Sequence, residues 1–148
     1  MFPILTVICF AILATAVVLY LRRRRQQRRL DEHSITPEAL HGLLDSQARP
    51  LVFDVRLPLD LLADSEIIPG ATRVAPKEIL QNPELIPREQ DAVIYCTCPS
   101  DETSRAILQK ALEAQFVRVK LLKGGLAGWK AAGYPVEPYQ SSFHLDTA

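Results

Sequence analysis

The chain is 148 residues long and carries 17 basic and 17 acidic side chains, a formal net charge of zero at pH 7. That length suits one domain of ordinary size, and three cysteines suggest no disulfide framework and fit a reducing compartment. The charge is unevenly spread: from Asp31 onward there are 11 basic and 17 acidic residues, a net of −6, which argues against a nucleic-acid binder.

Residues 2–21, FPILTVICFAILATAVVLYL, hold no charge. Twenty helical residues rise about 30 Å, the thickness of a bilayer core, so the run predicts one transmembrane helix. A signal peptide is the competing reading. It wants positive charge before the apolar run and a small-residue cleavage site after it. Here no charged side chain precedes the run, and Ala14-Thr15-Ala16 is followed by five more apolar residues. A retained anchor is the better fit. Cys9, inside the run, reads as an apolar side chain rather than a reactive thiol.

Arg22, Arg23, Arg24, Arg25, Arg28 and Arg29 follow at once. An arginine run also suits a nucleic-acid patch. Directly against an apolar helix it instead predicts a stop-transfer signal that meets lipid headgroups, with Tyr20 at the interface. The positive-inside rule places this cluster in the cytoplasm. The expectation is a single-pass inner-membrane protein with its N-terminus outside and its soluble domain cytoplasmic. The division is an anchor and arginine-rich segment at 1–30, one domain at 31–138 and a loose tail at 139–148.

The domain opens with Thr36 as a helix N-cap and Pro37 at the first helical position. Leu40, Leu43 and Leu44 form the apolar face of that helix. Residues 51–56, LVFDVR, read as a buried strand with polar residues at its end. Residues 57–66 are expected to be a loop. Ile67 and Ile68 precede a Pro69-Gly70 turn signal. A short strand at 73–75 and a short helix at 76–80 lead through two proline loops to the apolar strand Ala92, Val93, Ile94, Tyr95. A helix follows over 103–115, then a strand over 117–122, the Gly124-Gly125 turn, and a short helix carrying Trp129 that stops at Gly133-Tyr134-Pro135. Trp129 reads as a core anchor. Alternating strands and helices predict an α/β domain with a mostly parallel central sheet flanked by helices. The ligand site is expected at the carboxyl ends of the strands.

One such end carries the chemistry. Between Tyr95 and the next helix lie Cys96, Thr97, Cys98, Pro99, Ser100, Asp101, Glu102, Thr103 and Ser104. A thiol where a strand turns into a helix faces unsatisfied backbone N–H groups and the positive end of the helix dipole. That setting favours a thiolate and cradles an anion. Most cysteines are inert packing, so the turn alone does not establish catalysis.

Several short stretches in order resemble the rhodanese-like (sulfurtransferase) domain. They are Asp54-Val55-Arg56, Ile68-Pro69-Gly70-Ala71, Tyr95-Cys96, the run Leu122-Lys123-Gly124-Gly125-Leu126-Ala127-Gly128-Trp129, and Gly133-Tyr134-Pro135-Val136. The likeness runs from about residue 35 to 137. The Cys-x-Cys-Pro loop resembles the rhodanese modules fused to membrane proteins of the DedA type. The resemblance implies a thiolate that takes sulfane sulfur from a donor such as thiosulfate or a persulfide. The cysteine persulfide so formed passes its sulfur to a thiol or to cyanide. It implies no cofactor. Two neighbouring cysteines lack further ligands at metal spacing, so no metal is expected.

The chain departs from the family pattern at several points. Counted from the strand, Cys96 holds the family's position. Counted back from the helix, Cys98 has the usual five residues between it and the small residue Ser104, and because the loop and helix start make the cradle, Cys98 is favoured. Asp101 and Glu102 complement the helix dipole but repel a dianion, so a less charged donor than thiosulfate is expected. Arg105 lies seven residues after Cys98, unlike the Cys-x5-Arg of the related phosphatases, and Ile67 stands where the family has histidine. Asp54 and Arg56 read as ion-paired supports of the site. Two other functions remain open: a rhodanese-fold module that binds or senses without turnover, and a membrane-linked redox protein that cycles a Cys96–Cys98 disulfide. The protein partner is open.

Overall fold

The computed structural model describes the backbone of residues 2–97 and 102–140 and the side chains of residues 7–97 and 103–140. The chain divides into two units, Met1–Glu32 and His33–Ala148.

The first unit is one helix, α1 (Phe2–Glu32). Thr15 Oγ1 donates to the Ala11 carbonyl at 2.7 Å and Gln27 Nε2 to Asp31 Oδ1 at 3.1 Å, both one turn apart. From residue 7 to 21 its apolar side chains are exposed, among them Phe10, Ile12 and Leu13. Among the described residues no helix is long and apolar enough to cross a membrane. The expected span of residues 2–21 is described for its side chains only from Val7, and the same helix then runs directly into Arg22.

The second unit contains, in order, β1 (Ser34–Ile35), α2 (Pro37–Leu44), β2 (Leu51–Asp54), α3 (Pro58–Ala63), β3 (Glu66–Ile67), β4 (Thr72–Arg73), α4 (Pro76–Gln81), a 3₁₀ turn (Pro83–Leu85), β5 (Ala92–Tyr95), α5 (Glu102–Glu113), β6 (Val119–Leu122), α6 (Gly125–Ala131) and β7 (Glu137–Pro138). Five strands make one parallel sheet in the order β1-β6-β5-β2-β4. From β2 the chain steps outward to β4, then returns to β5 on the other side and continues to β6. The order therefore reverses between β2 and β5, and crevices at such points in open α/β sheets are where ligands sit.

The central strand β5 is buried along its whole length, as a strand covered on both faces must be. Val93 and Tyr95 point to one face, where they pack with Leu40 of α2 and Leu126 and Trp129 of α6. Ile94 points to the other, the face against which α5 packs, with α4 beside it. Thr36 caps α2 by accepting from the Ala39 N–H at 3.3 Å, with Pro37 at the first helical position, as the sequence predicts. Trp129 Nε1 donates to the Pro135 carbonyl at 2.8 Å, tying the end of the domain to its core.

The Gly-Gly turn is required by space. Gly124 has φ of 73° and caps α6, a left-handed conformation that glycine adopts without steric penalty. At Gly128 an added Cβ would meet the Lys123 carbonyl oxygen at 2.8 Å, so only glycine lets α6 close against the end of β6.

Three expectations are corrected. The segment expected as a loop over 57–66 contains α3, started by Pro58 at its first turn. The expected tail from residue 139 is not loose at its start, because Tyr139 N–H donates to the Ser65 carbonyl at 2.7 Å; just before it, β7 pairs antiparallel with β3 and Glu137 Oε1 accepts from the Gly70 N–H at 3.1 Å. Strand β1 was not expected at all. Two residues are too short to show a period, and its partner β6 lies more than eighty residues away.

Candidate active site

Cys96, the first thiol of the expected turn, lies at the carboxyl end of β5, beside the point where the strand order reverses. Cys96 follows Tyr95 directly and is 1% exposed. Its carbonyl accepts from the Leu126 N–H at 3.0 Å, so the start of α6 fixes the exit of the strand. Thr97 is half-buried and its Oγ1 has no hydrogen-bond partner among the described residues. Cys98, Pro99, Ser100 and Asp101 lie outside the described residues. Helix α5 begins at Glu102, whose side chain is likewise outside them. Thr103 and Arg105 are half-buried. Ser104, in the first turn, is fully buried, and its hydroxyl has no partner among the described residues.

Asp54 and Arg56 stand at the end of the neighbouring strand and form a fully buried ion pair. Asp54 Oδ1 accepts from the Arg56 backbone N–H at 3.0 Å and from Nε at 2.9 Å. Oδ2 accepts from Arg56 Nη2 at 2.6 Å and from the Tyr95 hydroxyl at 3.1 Å. Arg56 then donates outward to two backbone carbonyls, Nη1 to Asp64 at 2.7 Å and Nη2 to Glu66 at 2.9 Å. Tyr95 in turn accepts from the Ile68 N–H at 3.3 Å. The segment 64–68 is thereby hung from the ends of β2 and β5 by one carboxylate, one guanidinium and one phenol.

The charges follow from that wiring. Burial by itself would lower the Arg56 pKa, but the hydrogen bond and charge of Asp54 more than offset it, and the guanidinium is held above its ordinary value. Burial pushes the Tyr95 phenol well above its ordinary range and the Asp54 charge adds to the shift, so Tyr95 stays a neutral donor. On the rim, Lys130 Nζ sits 2.6 Å from both Asp64 Oδ2 and Glu66 Oε2. Partial burial would raise the Asp64 carboxyl, yet the Lys130 hydrogen bond, the Glu66 N–H and the charges of Lys130 and Arg56 together outweigh it and the net shift is downward.

Asp54 and Arg56 are therefore brought together as the sequence predicts, one strand away from Cys96. The sequence reading missed Tyr95 and Lys130 as members of this network. Tyr95 looked like one more apolar residue of β5. Its signal is a hydroxyl-bearing ring at the last position of a strand buried on both faces, where the polar tip must find a partner. Among the described residues no group of His, Cys, Asp and Glu side chains could hold a metal ion.

No curated protein matches the chain. Solved structures do. The full-length protein from Lactobacillus plantarum is 21% identical, with a TM-score of 0.66 over 79% of this chain and 97% of its own. The Alr3790 protein from Anabaena is 26% identical, with a TM-score of 0.60 over 70% of this chain and 82% of its own. A thiosulfate sulfurtransferase from Pseudomonas aeruginosa is 27% identical, with a TM-score of 0.57; the match covers 71% of this chain but only 19% of that one. The family model described as Rhodanese-like domain matches residues 36–132. That span takes in strands β2, β4, β5 and β6 of the parallel sheet, the buried Asp54–Arg56 pair and both cysteines of the expected turn, and the chain belongs to the rhodanese-like domain family.

Proposed function

We propose that this domain is a sulfurtransferase in which Cys98 is the nucleophile and Cys96 supports the turn. The observation that carries the reading is Cys96 at the carboxyl end of the central parallel strand, followed in the sequence by Cys98 and then by the twelve-residue helix α5, in a rhodanese-like domain. The Cys98 thiolate attacks the outer sulfur of a donor. With thiosulfate the S–S bond of the donor breaks and sulfite leaves with the electron pair, giving Cys98–S–S⁻. An acceptor thiolate then attacks the outer sulfur, leaves as a persulfide and restores the cysteine thiolate. Every species is an anion, and backbone N–H groups at a helix start stabilise anions without a general base. The burial of Cys96 supports this division of roles, since reactive thiols sit in partly exposed, electropositive surroundings. Asp101 and Glu102 favour a donor of lower charge than thiosulfate, such as a small persulfide.

The test is to incubate the full chain with thiosulfate and, separately, with a small alkyl persulfide, and map the peptides by mass. A gain of about 32 Da on the peptide carrying Cys96 and Cys98, assigned to Cys98 by fragmentation, is expected for one added sulfur. No gain with either donor, from a folded chain, would reduce the domain to a binding module.

We further propose that α1 holds the domain at a membrane, with its arginines at cytoplasmic lipid headgroups. The charge-free face-all-round exposure of residues 7–21 supports this, because exposed apolar surface of that extent calls for a non-aqueous partner. The full chain is expected in the membrane fraction after an alkaline wash, and a chain lacking residues 2–30 in the supernatant. Recovery of the full chain in the supernatant would sink the idea.

A further inference from the structure

A cleft of about 490 Å³ opens beside the edge strand β4, walled by Ile67, Ala71, Thr72, Arg73, Glu137 and Tyr139. That volume is within the range of small-molecule sites. Nothing in the sulfur-transfer chemistry above uses it.

Arg73 gives the cleft its sign. Its Nε is buried and has no hydrogen-bond partner among the described residues, so water does not reach that side of the guanidinium. Among the described residues it also has no ion-pair partner, whereas the arginines at 56, 88 and 118 each have one. The nearest carboxylate in register is Asp54, directly opposite on β2, but both of its oxygens are taken by Arg56 and Tyr95. Glu137 makes no ion pair among the described residues; its Oε1 accepts from the Gly70 N–H, which leaves Oε2 for a cationic group of a ligand. An incompletely solvated cation facing a cleft attracts an anion more strongly than one in open water, and the guanidinium fork matches a carboxylate.

Position connects the cleft with the thiol turn. Arg73 is in register with Asp54, and Asp54 with Tyr95. Partners in register project from the same face of the sheet, and two strand spacings are about 10 Å. A ligand held at Arg73 therefore lies along the same carboxyl edge as the residue that precedes Cys96.

We propose that this cleft is a carboxylate-binding subsite that seats the sulfur acceptor, an amino-acid-like thiol whose carboxylate meets Arg73 and whose ammonium group meets Glu137. The acceptor role rests on the sulfur-transfer reading; the binding of the carboxylate does not. In the second half-reaction the seated thiolate attacks the outer sulfur of the cysteine persulfide, the persulfide S–S bond breaks, and the cysteine thiolate leaves with the bonding pair.

Reduced glutathione is the probe for the full chain, with 2-mercaptoethanol as a thiol lacking carboxylate and ammonium. Titration calorimetry is expected to show saturable glutathione binding that weakens about tenfold or more in Arg73→Gln. The glutathione diethyl ester is expected to bind the unaltered chain as weakly, a comparison that needs no variant to fold. Persulfide formation from the donor and turnover with 2-mercaptoethanol are expected to be unchanged in Arg73→Gln. Equal binding of glutathione and its ester, or an equal loss of turnover with both thiols, would overturn the subsite. If the unaltered chain gains no sulfur at all, the sulfur-transfer reading fails, and Arg73-dependent glutathione binding would still be seen.

Discussion

Replacing Arg56 by leucine is expected to remove about 3–5 kcal/mol of folding stability, because it leaves a buried carboxylate without its counter-charge. Domains of this kind are held by about 5–15 kcal/mol in total, so the loss approaches the whole. The loss is more than that of one ion pair. Arg56 is fully buried, and it also satisfies the carbonyls of Asp64 and Glu66. Removing it strands those acceptors and frees the segment that Tyr95 grips through the Ile68 N–H. Urea unfolding of the full chain, read at the domain transition, checks it: the midpoint falls while the slope holds. Arg56→Lys is expected to fall between, because an ammonium keeps the charge but cannot span Asp54 and two carbonyls as the planar fork does. A loss under about 1 kcal/mol in Arg56→Leu, the value of an exposed pair, would mean that water reaches the site.

Cys98→Ser is expected to abolish sulfur transfer, a fall on the order of 10³ or more as when a covalent nucleophile is removed. A serine hydroxyl is not ionised at neutral pH, and sulfane sulfur needs a thiolate to attack it. Cys96→Ser is expected to keep persulfide formation, since Cys96 is buried at the strand exit and its carbonyl, which bonds Leu126, is untouched by the change. The reverse pattern would move the nucleophile to Cys96. Transfer retained in the double variant would remove sulfur transfer through this turn altogether. The two variants also separate the redox alternative, because a device that cycles a Cys96–Cys98 disulfide needs both sulfurs equally.

The local features of this protein were legible in the amino-acid sequence because their causes are short-ranged. Thr36 and Pro37 start α2 through bonds within one turn. The apolar run of β5, the alternation of β6 and the apolar face of α5 each show their period within a dozen residues. Gly124, Gly128 and Trp129 are dictated by a turn and a helix that are neighbours in the chain. The thiol turn is visible for the same reason, as a strand running into a helix.

What joins distant segments was not legible there. Tyr95 meets Asp54 across 41 residues, Lys130 meets Asp64 across 66, and β7 finds β3 only once the sheet has brought residues 66 and 138 together. The Arg73 cleft depends on the same placement, since an arginine in a two-residue edge strand carries no sign in sequence of whether a carboxylate stands beside it. Asp54 lies opposite Arg73, yet its oxygens are already occupied. That competition between two cations for one buried carboxylate exists only after β4, β2 and β5 are side by side. Periods and caps are properties of a few consecutive residues, whereas the partner of a buried charge is set by strand order, and strand order is decided by the packing of the whole domain.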